Sequence, residues 1–152
     1  MVEGAHHLPY LEYQTFMQDE LVAITHKQSS YAELEEINCV ELKKVPLILR
    51  ENGSGTLEVF KRAIKRADFD FSDFNVAMQL GSTESIKRYL EQSNAMGVVS
   101  IQSIDRELRE GHFKVVELPE LTMSRSFAFV QQRGSEHPLA LLFKEFLKRV
   151  IS

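Results

Sequence analysis

Two short segments rich in glycine and hydroxyl side chains are the part of this sequence best suited to binding a ligand. Residues 51–56 read Glu-Asn-Gly-Ser-Gly-Thr, and residues 81–83 read Gly-Ser-Thr. Each follows an apolar, strand-like run and precedes a helical pattern. The first N–H groups of a helix have no partner inside it, and the helix dipole adds partial positive charge there. The two segments therefore predict a pocket for an anion such as a carboxylate or a phosphate.

A third segment and a purely local explanation stand beside this prediction. Ser100 and Gln102 follow the next strand-like run and would supply a further wall of the pocket. However, any helix that follows a strand favours Ser or Thr as its N-cap and Gly in the preceding turn. The segments lack the lysine of a nucleotide-binding P-loop, and the chain has no G-x-G-x-x-G motif, so nucleotide hydrolysis is not indicated. Helix capping and ligand binding both remain open.

Residues that commonly carry out catalysis or bind metals are sparse. Cys39 is the single cysteine and lies in an apolar stretch, which favours a small buried side chain over a nucleophile. His6 and His7 are adjacent, which is the wrong spacing for two ligands on one helical face. The chain has neither a G-x-S-x-G nor an H-E-x-x-H motif. We therefore predict no catalytic residue, no metal and no cofactor.

Strand-like and helix-like patterns alternate along the chain and would position these segments. Asn94 suits a left-handed cap at the end of one predicted helix. Alternation predicts βαβ units, a parallel sheet with helices on both faces, and hence a three-layer α/β/α fold whose ligands lie beyond the carboxyl ends of the strands. The predicted strands cover residues 20–25, 45–50, 75–80, 97–101, 113–117 and 125–130, and the predicted helices cover residues 30–37, 56–67, 83–93, 103–108 and 137–151.

The composition excludes several classes of protein. A chain of 152 residues with 43% hydrophobic residues is long enough for one core of its own. A net charge of −4 argues against binding nucleic acid through a basic face. The N-terminus has no secretory pattern, and no window approaches the roughly 18 apolar residues needed to cross a bilayer. We expect a cytoplasmic protein without membrane association.

The most specific motifs are residues 45–56, Val-Pro-Leu-Ile-Leu-Arg-Glu-Asn-Gly-Ser-Gly-Thr, and residues 80–88, Leu-Gly-Ser-Thr-Glu-Ser-Ile-Lys-Arg. They resemble the C-terminal effector-binding domain of LysR-type transcriptional regulators. The resemblance covers nearly the whole chain in the same order. One departure is Asn-Ala-Met-Gly at residues 94–97, where the family commonly has Gly-Leu-Gly. Further matching segments are residues 2–4, 19–22, 97–100, 106–111 and 138–147.

The resemblance implies the fold of type 2 periplasmic binding proteins, in which two α/β lobes enclose a small-molecule effector. On this chain, residues 1–18 would be the end of the first lobe and its crossover, and residues 19–132 the second lobe. Residues 133–152 would form a C-terminal helix that packs toward the first lobe. The winged-helix DNA reader and most of the first lobe are expected ahead of Met1.

The resemblance also implies a function, namely a ligand-sensing regulatory domain that binds a small effector between its lobes. The two helix starts indicate that this effector is an anion. The effector would touch the loop after the Leu-Arg-Glu strand and the start of the helix after the Leu-Gly-Ser strand. Val2 and Glu3 would lie at the rim of the first lobe. With Ser100 from the residue analysis, the remaining expected effector-binding residues are Asn52, Gly53, Ser54, Gly55, Thr56, Ser82 and Thr83.

Partners follow from the same resemblance. The full-length protein would be a homo-oligomer in which the helix at residues 56–67 and the strand at residues 75–80 meet the first lobe of another subunit. DNA would be bound only through the winged helix-turn-helix. Two alternatives use the same fold: a solute-binding module of a transporter, and a small enzyme.

Overall fold

The structure, a computed structural model, describes residues 2–3, 8–134 and 137–151. The chain divides into a larger unit, Glu20–Ser124, and a smaller unit made of Met1–Asp19 and Arg125–Ser152. The strands are β1 (Val2–Glu3), β2 (Leu11–His26), β3 (Leu47–Arg50), β4 (Val76–Leu80), β5 (Met96–Ser100), β6 (Phe113–Val116) and β7 (Ser124–Gln132). The helices are α1 (Cys39–Leu42), α2 (Gly55–Arg66), α3 (Thr83–Leu90), α4 (Asp105–Arg109) and α5 (Pro138–Ile151), with 3-10 turns at Phe71–Asp73 and Ile101–Ser103.

The sheet of the larger unit is mixed, with a parallel part at one side. β3 pairs in parallel with β4 and with β5, as the alternation of strands and helices predicts. β2, however, runs antiparallel to both β5 and β6, so the expectation of a wholly parallel sheet was wrong. The chain between β2 and β3 contains turns and one four-residue helix. This segment is too short in helix to carry the chain back along the length of the sheet. β3 therefore begins near the end of the sheet where β2 stops.

Helices cover both faces of this sheet, which confirms the predicted layers. Leu47 and Leu49 of β3 belong to one buried cluster, together with Phe60 and Ile64 of α2. Ile48, between them, belongs to a second buried cluster. Side chains alternate between the two faces of a strand, so the clusters lie on opposite sides of the sheet. The second cluster also contains Ile24, Ile86, Leu90, Ala95, Val99, Ile104 and Phe113.

Two local predictions were wrong, and both concern Asn94. Residues 30–37 form turns instead of a helix. The Asn94 side-chain oxygen accepts hydrogen bonds from the hydroxyls of Ser29 and Ser30 and from the Ser30 N–H, at 2.8–2.9 Å. These contacts compete with a regular helix. Asn94 is also not left-handed, since the one non-glycine with positive φ in the described part of the chain is Asp68, at 61°.

The smaller unit contains β1, the first part of β2, β7 and α5. β1 pairs antiparallel with β7. Arg125 lies 2.7 Å from the buried Asp19 carboxylate, and Phe16 stacks on Phe129 with ring centroids 4.3 Å apart. The final helix is present as predicted. Its apolar stripe is largely exposed, as at Leu139, Leu141, Leu142, Phe143, Phe146 and Val150.

Gly97 allows α3 to pack closely on β5. A Cβ atom at this position would lie 2.8 Å from Cγ2 of Ile86 and 3.0 Å from Cδ1 of Leu90, both in α3. The strand and the helix can approach this closely because glycine has no side chain.

We expect Gly97→Ala to lower the free energy of unfolding by about 1–3 kcal/mol, the usual cost of overfilling a packed core. Urea denaturation followed by circular dichroism measures this loss. Gly81→Ala is the matched control, because a Cβ there meets no atom within 4 Å and Gly81 has no positive φ. Equal stability of the two variants would contradict the packing role of Gly97.

Candidate functional site

The candidate site lies where three neighbouring strands end. In the parallel register Arg50 of β3 aligns with Leu80 of β4, and the Glu51 N–H donates to the Leu80 carbonyl at 3.1 Å. The Asn52–Thr56 loop and the Gly81–Thr83 loop therefore leave the sheet side by side, at the same edge. β5 flanks β3 on its other side and ends at Ser100. The larger unit thus brings together the three segments named from the sequence.

The first loop is organised around the start of α2. Gly53 has a φ of 88°, the left-handed conformation that favours glycine in this turn. The Ser54 hydroxyl accepts a hydrogen bond from the Leu57 N–H at 3.2 Å. Ser54 and Thr56 are both buried. In the described part of the chain, the N–H groups of Gly55 and Thr56 donate to no protein acceptor.

Asn52, at the outer end of this loop, has an exposed side chain. Its side-chain oxygen accepts a hydrogen bond from the Lys61 ammonium at 3.3 Å. Lys61 lies on α2, so this contact ties the loop to the first turns of its own helix. The Asn52 carboxamide keeps its N–H groups for other partners.

The second loop repeats this arrangement at the start of α3. The Ser82 hydroxyl accepts a hydrogen bond from the Ser85 N–H at 3.1 Å and lies 2.8 Å from the Ser85 hydroxyl. Over the described residues, the N–H groups of Thr83 and Glu84 have no protein acceptor. Ser54 and Ser82 therefore act as N-caps, and the groups left over for an anion are backbone N–H donors together with Thr56 and Thr83.

The two remaining predicted residues are Ser100, whose side chain the structure describes, and Glu3, for which it describes the backbone only. Ser100 is half-buried, and its carbonyl accepts a hydrogen bond from the Ser103 hydroxyl at 2.6 Å. Glu3 pairs with Phe127 in the backbone register of the smaller unit. The Glu3 side chain lies outside the described residues.

An ion pair at the end of β3 was not among the site residues named from the sequence. The Arg50 Nε lies 2.9 Å from one Glu51 carboxylate oxygen, and its Nη2 lies 2.9 Å from the other. The hydrogen bond to Glu51 raises the pKa of Arg50, and the same bond lowers the pKa of Glu51. Gln79 of β4 donates to the Arg50 carbonyl at 3.2 Å. The sequence does contain a signal for this pair, because an arginine and a glutamate stand side by side directly before the first loop.

A buried lysine on α3 was also missed. Lys87 is 7% exposed, and its ammonium lies 2.6 Å from the Glu84 carboxylate and 2.5 Å from the Glu107 carboxylate. It also donates to the Ser103 carbonyl at 3.4 Å. Burial disfavours its charge, but hydrogen bonds to Glu107 and Glu84 outweigh burial and raise its pKa. Lys87 adjoins Ile86 on the buried side of α3, yet a lysine in a helical pattern normally indicates a solvated face.

The remaining candidates for chemistry are groups of metal-binding side chains and the Cys39 thiol. The described residues contain no group of three or more His, Cys, Asp or Glu side chains that could hold a metal ion. Cys39 is buried, and burial, followed by its contact with Glu120, raises the pKa of its thiol from 9.0 to about 12. The thiol is therefore protonated at neutral pH, in the state that makes a poor nucleophile. No helix in the described residues is both long and apolar enough to cross a membrane.

The raised pKa of Cys39 predicts a pH-dependent stability. A neutral buried thiol stabilises the fold fully below pH 9, and this contribution is lost as pH rises from 9 toward the folded pKa of about 12. We expect the difference in unfolding free energy between the unchanged chain and Cys39→Ala to shrink by roughly 2 kcal/mol between pH 8 and pH 10.5. Urea denaturation at both pH values tests this, and a constant difference would contradict it.

Comparison with known proteins places the chain in a family. The LysR substrate binding domain model matches residues 2–152. An uncharacterized HTH-type transcriptional regulator of Methanocaldococcus jannaschii is 30% identical over 140 residues, which cover 91% of this chain and 47% of that regulator. The chain thus spans less than half the length of this relative, whose name describes a transcriptional regulator.

Solved structures of such domains share the fold. The regulatory domain of Synechocystis PCC6803 CcmR, in complex with 2-PG, has a TM-score of 0.80 and 24% identity, over 98% of this chain and 71% of that one. The effector-binding domain of QuiR, in complex with shikimate, has a TM-score of 0.75 and 14% identity, over 97% of this chain and 68% of that one. These similarities confirm the predicted α/β fold of the periplasmic-binding-protein-like class. Together with the family match, they establish that the chain belongs to the LysR substrate-binding-domain family.

Proposed function

We propose that this chain is the ligand-sensing part of a LysR-type transcriptional regulator, and that its larger unit binds a small anionic effector. The observation that carries the proposal is the pair of helix N-termini that start from neighbouring parallel strands. Residues 19–132 would form the second lobe, residues 1–18 the end of the first lobe and its crossover, and residues 133–152 a helix that packs toward the first lobe.

The effector would be held mainly by backbone donors. The N–H groups of Gly55 and Thr56 on one side, and of Thr83 and Glu84 on the other, have no protein acceptor among the described residues. Each helix end stabilises a nearby anion by about 0.3–1 kcal/mol when exposed and by up to about 2 kcal/mol when partly buried. Ser54 and Ser82 act by fixing the first turn of each helix.

Other predicted residues complete the proposed pocket. Thr56 and Thr83 would add hydroxyl donors, Gly53 would allow close approach, and Asn52 and Ser100 would border the pocket on either side. Glu3 would lie at the rim of the first lobe.

The chemistry of the neighbours supports an anion. The QuiR domain is in complex with shikimate, which is a carboxylate, and the CcmR domain with 2-PG. In this chain the Arg50 guanidinium is already neutralised by Glu51, so the donors proposed for the effector are mostly uncharged. Uncharged donors at helix ends bind carboxylates and other anions without requiring a free lysine or arginine.

The proposed output is a shift between two arrangements of the lobes. An effector that binds one arrangement more tightly raises its population, and this changes how the DNA readers of an oligomer are placed. We place the DNA reader and most of the first lobe in the part of a longer regulator that this chain does not span. DNA would be bound only through that winged helix-turn-helix. The regulator would be a cytoplasmic homo-oligomer without catalytic activity.

The transporter alternative has less support. The same fold serves solute-binding modules, but the matched family model and the Methanocaldococcus jannaschii relative both describe transcription regulators. No observation in the larger unit favours a transporter.

Calorimetry of the two-lobed regulator with a panel of small carboxylates tests the site. We expect Thr56→Val to weaken the tightest binder about twofold to tenfold, the value of one hydrogen bond. Ser82→Ala should weaken it to a similar extent, about twofold to tenfold, because loss of the N-cap loosens the first turn of α3 and its N–H donors. Thr122→Val and Ser72→Ala are controls with the same chemical changes, at exposed residues outside the three loops. The assignment fails if Thr56→Val and Ser82→Ala leave the affinity of every binder unchanged.

A further inference from the structure

Lys87 connects two walls of the proposed anion site. It lies on α3, one turn after the N–H donors of Thr83 and Glu84. Its ammonium contacts Glu107 of α4 and the Ser103 carbonyl, both in the chain that follows Ser100. One buried cation therefore joins the helix behind the second loop to the segment behind the third wall.

The connection continues through hydrogen bonds to the edge of the sheet. The Ser103 hydroxyl donates to the Ser100 carbonyl at 2.6 Å. These two hydrogen bonds, from Lys87 to Ser103 and from Ser103 to Ser100, thus link the middle of α3 to the end of β5. On the other side, Ile86 and Leu90 hold α3 against Gly97 of the same strand. Packing sets the distance between α3 and β5, and the Lys87 contacts tie the middle of α3 to the segment that follows β5.

Lys87 also controls the charge near the proposed anion. Glu84 is in the first turn of α3, and its carboxylate lies 2.6 Å from the Lys87 ammonium. Without this partner the carboxylate would repel an anion at the same helix end. Lys87 has 8% of its side chain exposed, and Glu84 has 72%. The lysine is therefore held in the protein interior, and the exposed Glu84 side chain contacts it from the solvent side.

We propose that Lys87 is a positioning residue that holds the second and third walls of the anion site in register and keeps Glu84 away from the bound anion. The proposal rests on the proposed function, since it concerns the same site. It goes beyond that function in assigning a role to a residue outside the proposed set of effector-binding residues. Burying a charged lysine beneath a helix is costly unless it is fully paired, so the paired arrangement is specific.

The test uses the 152-residue chain and inorganic sulfate as the probe. Sulfate is titrated while the amide signals of Gly55, Thr56, Thr83 and Glu84 are followed by NMR. Urea denaturation of each variant gives its stability separately. Lys87→Met removes the cation, and Glu107→Gln is a milder second variant in case Lys87→Met does not fold.

The control variant removes a lysine pair elsewhere. Lys43 lies 3.3 Å from Asp73, and its side chain is 29% exposed. It follows α1 and precedes the start of β3, whereas the loops follow the strand ends. We expect Lys43→Met to lower stability without changing the sulfate affinity. Lys87→Met should weaken sulfate binding at least fivefold at Thr83 and Glu84, and Glu107→Gln at least twofold.

A double variant separates positioning from general stability. Lys87→Met with Glu107→Leu replaces the pair of buried Lys87 and half-buried Glu107 with apolar side chains, a change that often restores stability where an ion pair is shielded from water. We expect its stability to return toward that of the unchanged chain while its sulfate affinity stays low, because the contact with the Ser103 carbonyl is lost and Glu84 is unpaired.

Three outcomes would overturn the inference. Unchanged sulfate affinity in Lys87→Met and Glu107→Gln would overturn the role of Lys87 and leave the proposed anion site standing. Recovery of both affinity and stability in the double variant would have the same meaning. A chain without substitutions whose loop amides do not respond to sulfate would overturn the proposed anion site, and with it the role of Lys87.

Discussion

Parallel pairing of β3 with β4 on one side and β5 on the other is the constraint on which the candidate site depends. Parallel strands end at the same edge, so the helices that follow them begin at that edge and present their unpaired N–H groups together. The antiparallel direction of β2 does not disturb this arrangement, because β2 lies beyond β5. Gly97 adds a second requirement, since only a residue without a Cβ lets α3 pack this closely on β5.

The hydroxyl residues of the two loops have divided roles. The Ser54 and Ser82 hydroxyls are engaged as helix caps, so the local explanation drawn from the sequence is correct for them. That engagement does not oppose ligand binding, because a cap satisfies one N–H of the first turn and leaves others available. At the same edge of the sheet, the charges of Arg50 and Glu51 neutralise each other in an ion pair. The result is an edge with positive helix ends and no unneutralised arginine at its centre.

Sequence patterns were sufficient for the features set by local chemistry. Caps, glycine turns and apolar periodicity located α2, α3 and the strands before them within a few residues. The patterns failed where distant residues compete with a local preference, as when Asn94 binds Ser29 and Ser30 and keeps residues 30–37 from forming a helix. Lys87 was missed for the same reason, because its partner Glu107 is distant in sequence. Strand direction also depends on such contacts, which explains the error for β2.

The energies of the loops limit what this unit can do by itself. Moving a two-state equilibrium from 1:99 to 99:1 requires a ligand to favour one state by about 5.5 kcal/mol. Two partly buried helix ends supply at most about 4 kcal/mol together, and less where they are exposed. The proposed loops would therefore anchor an effector without providing the whole difference in affinity between the two lobe arrangements. In the proposed function, the remaining part would come from a second surface that contacts the effector in one arrangement only, as a cleft between two lobes allows.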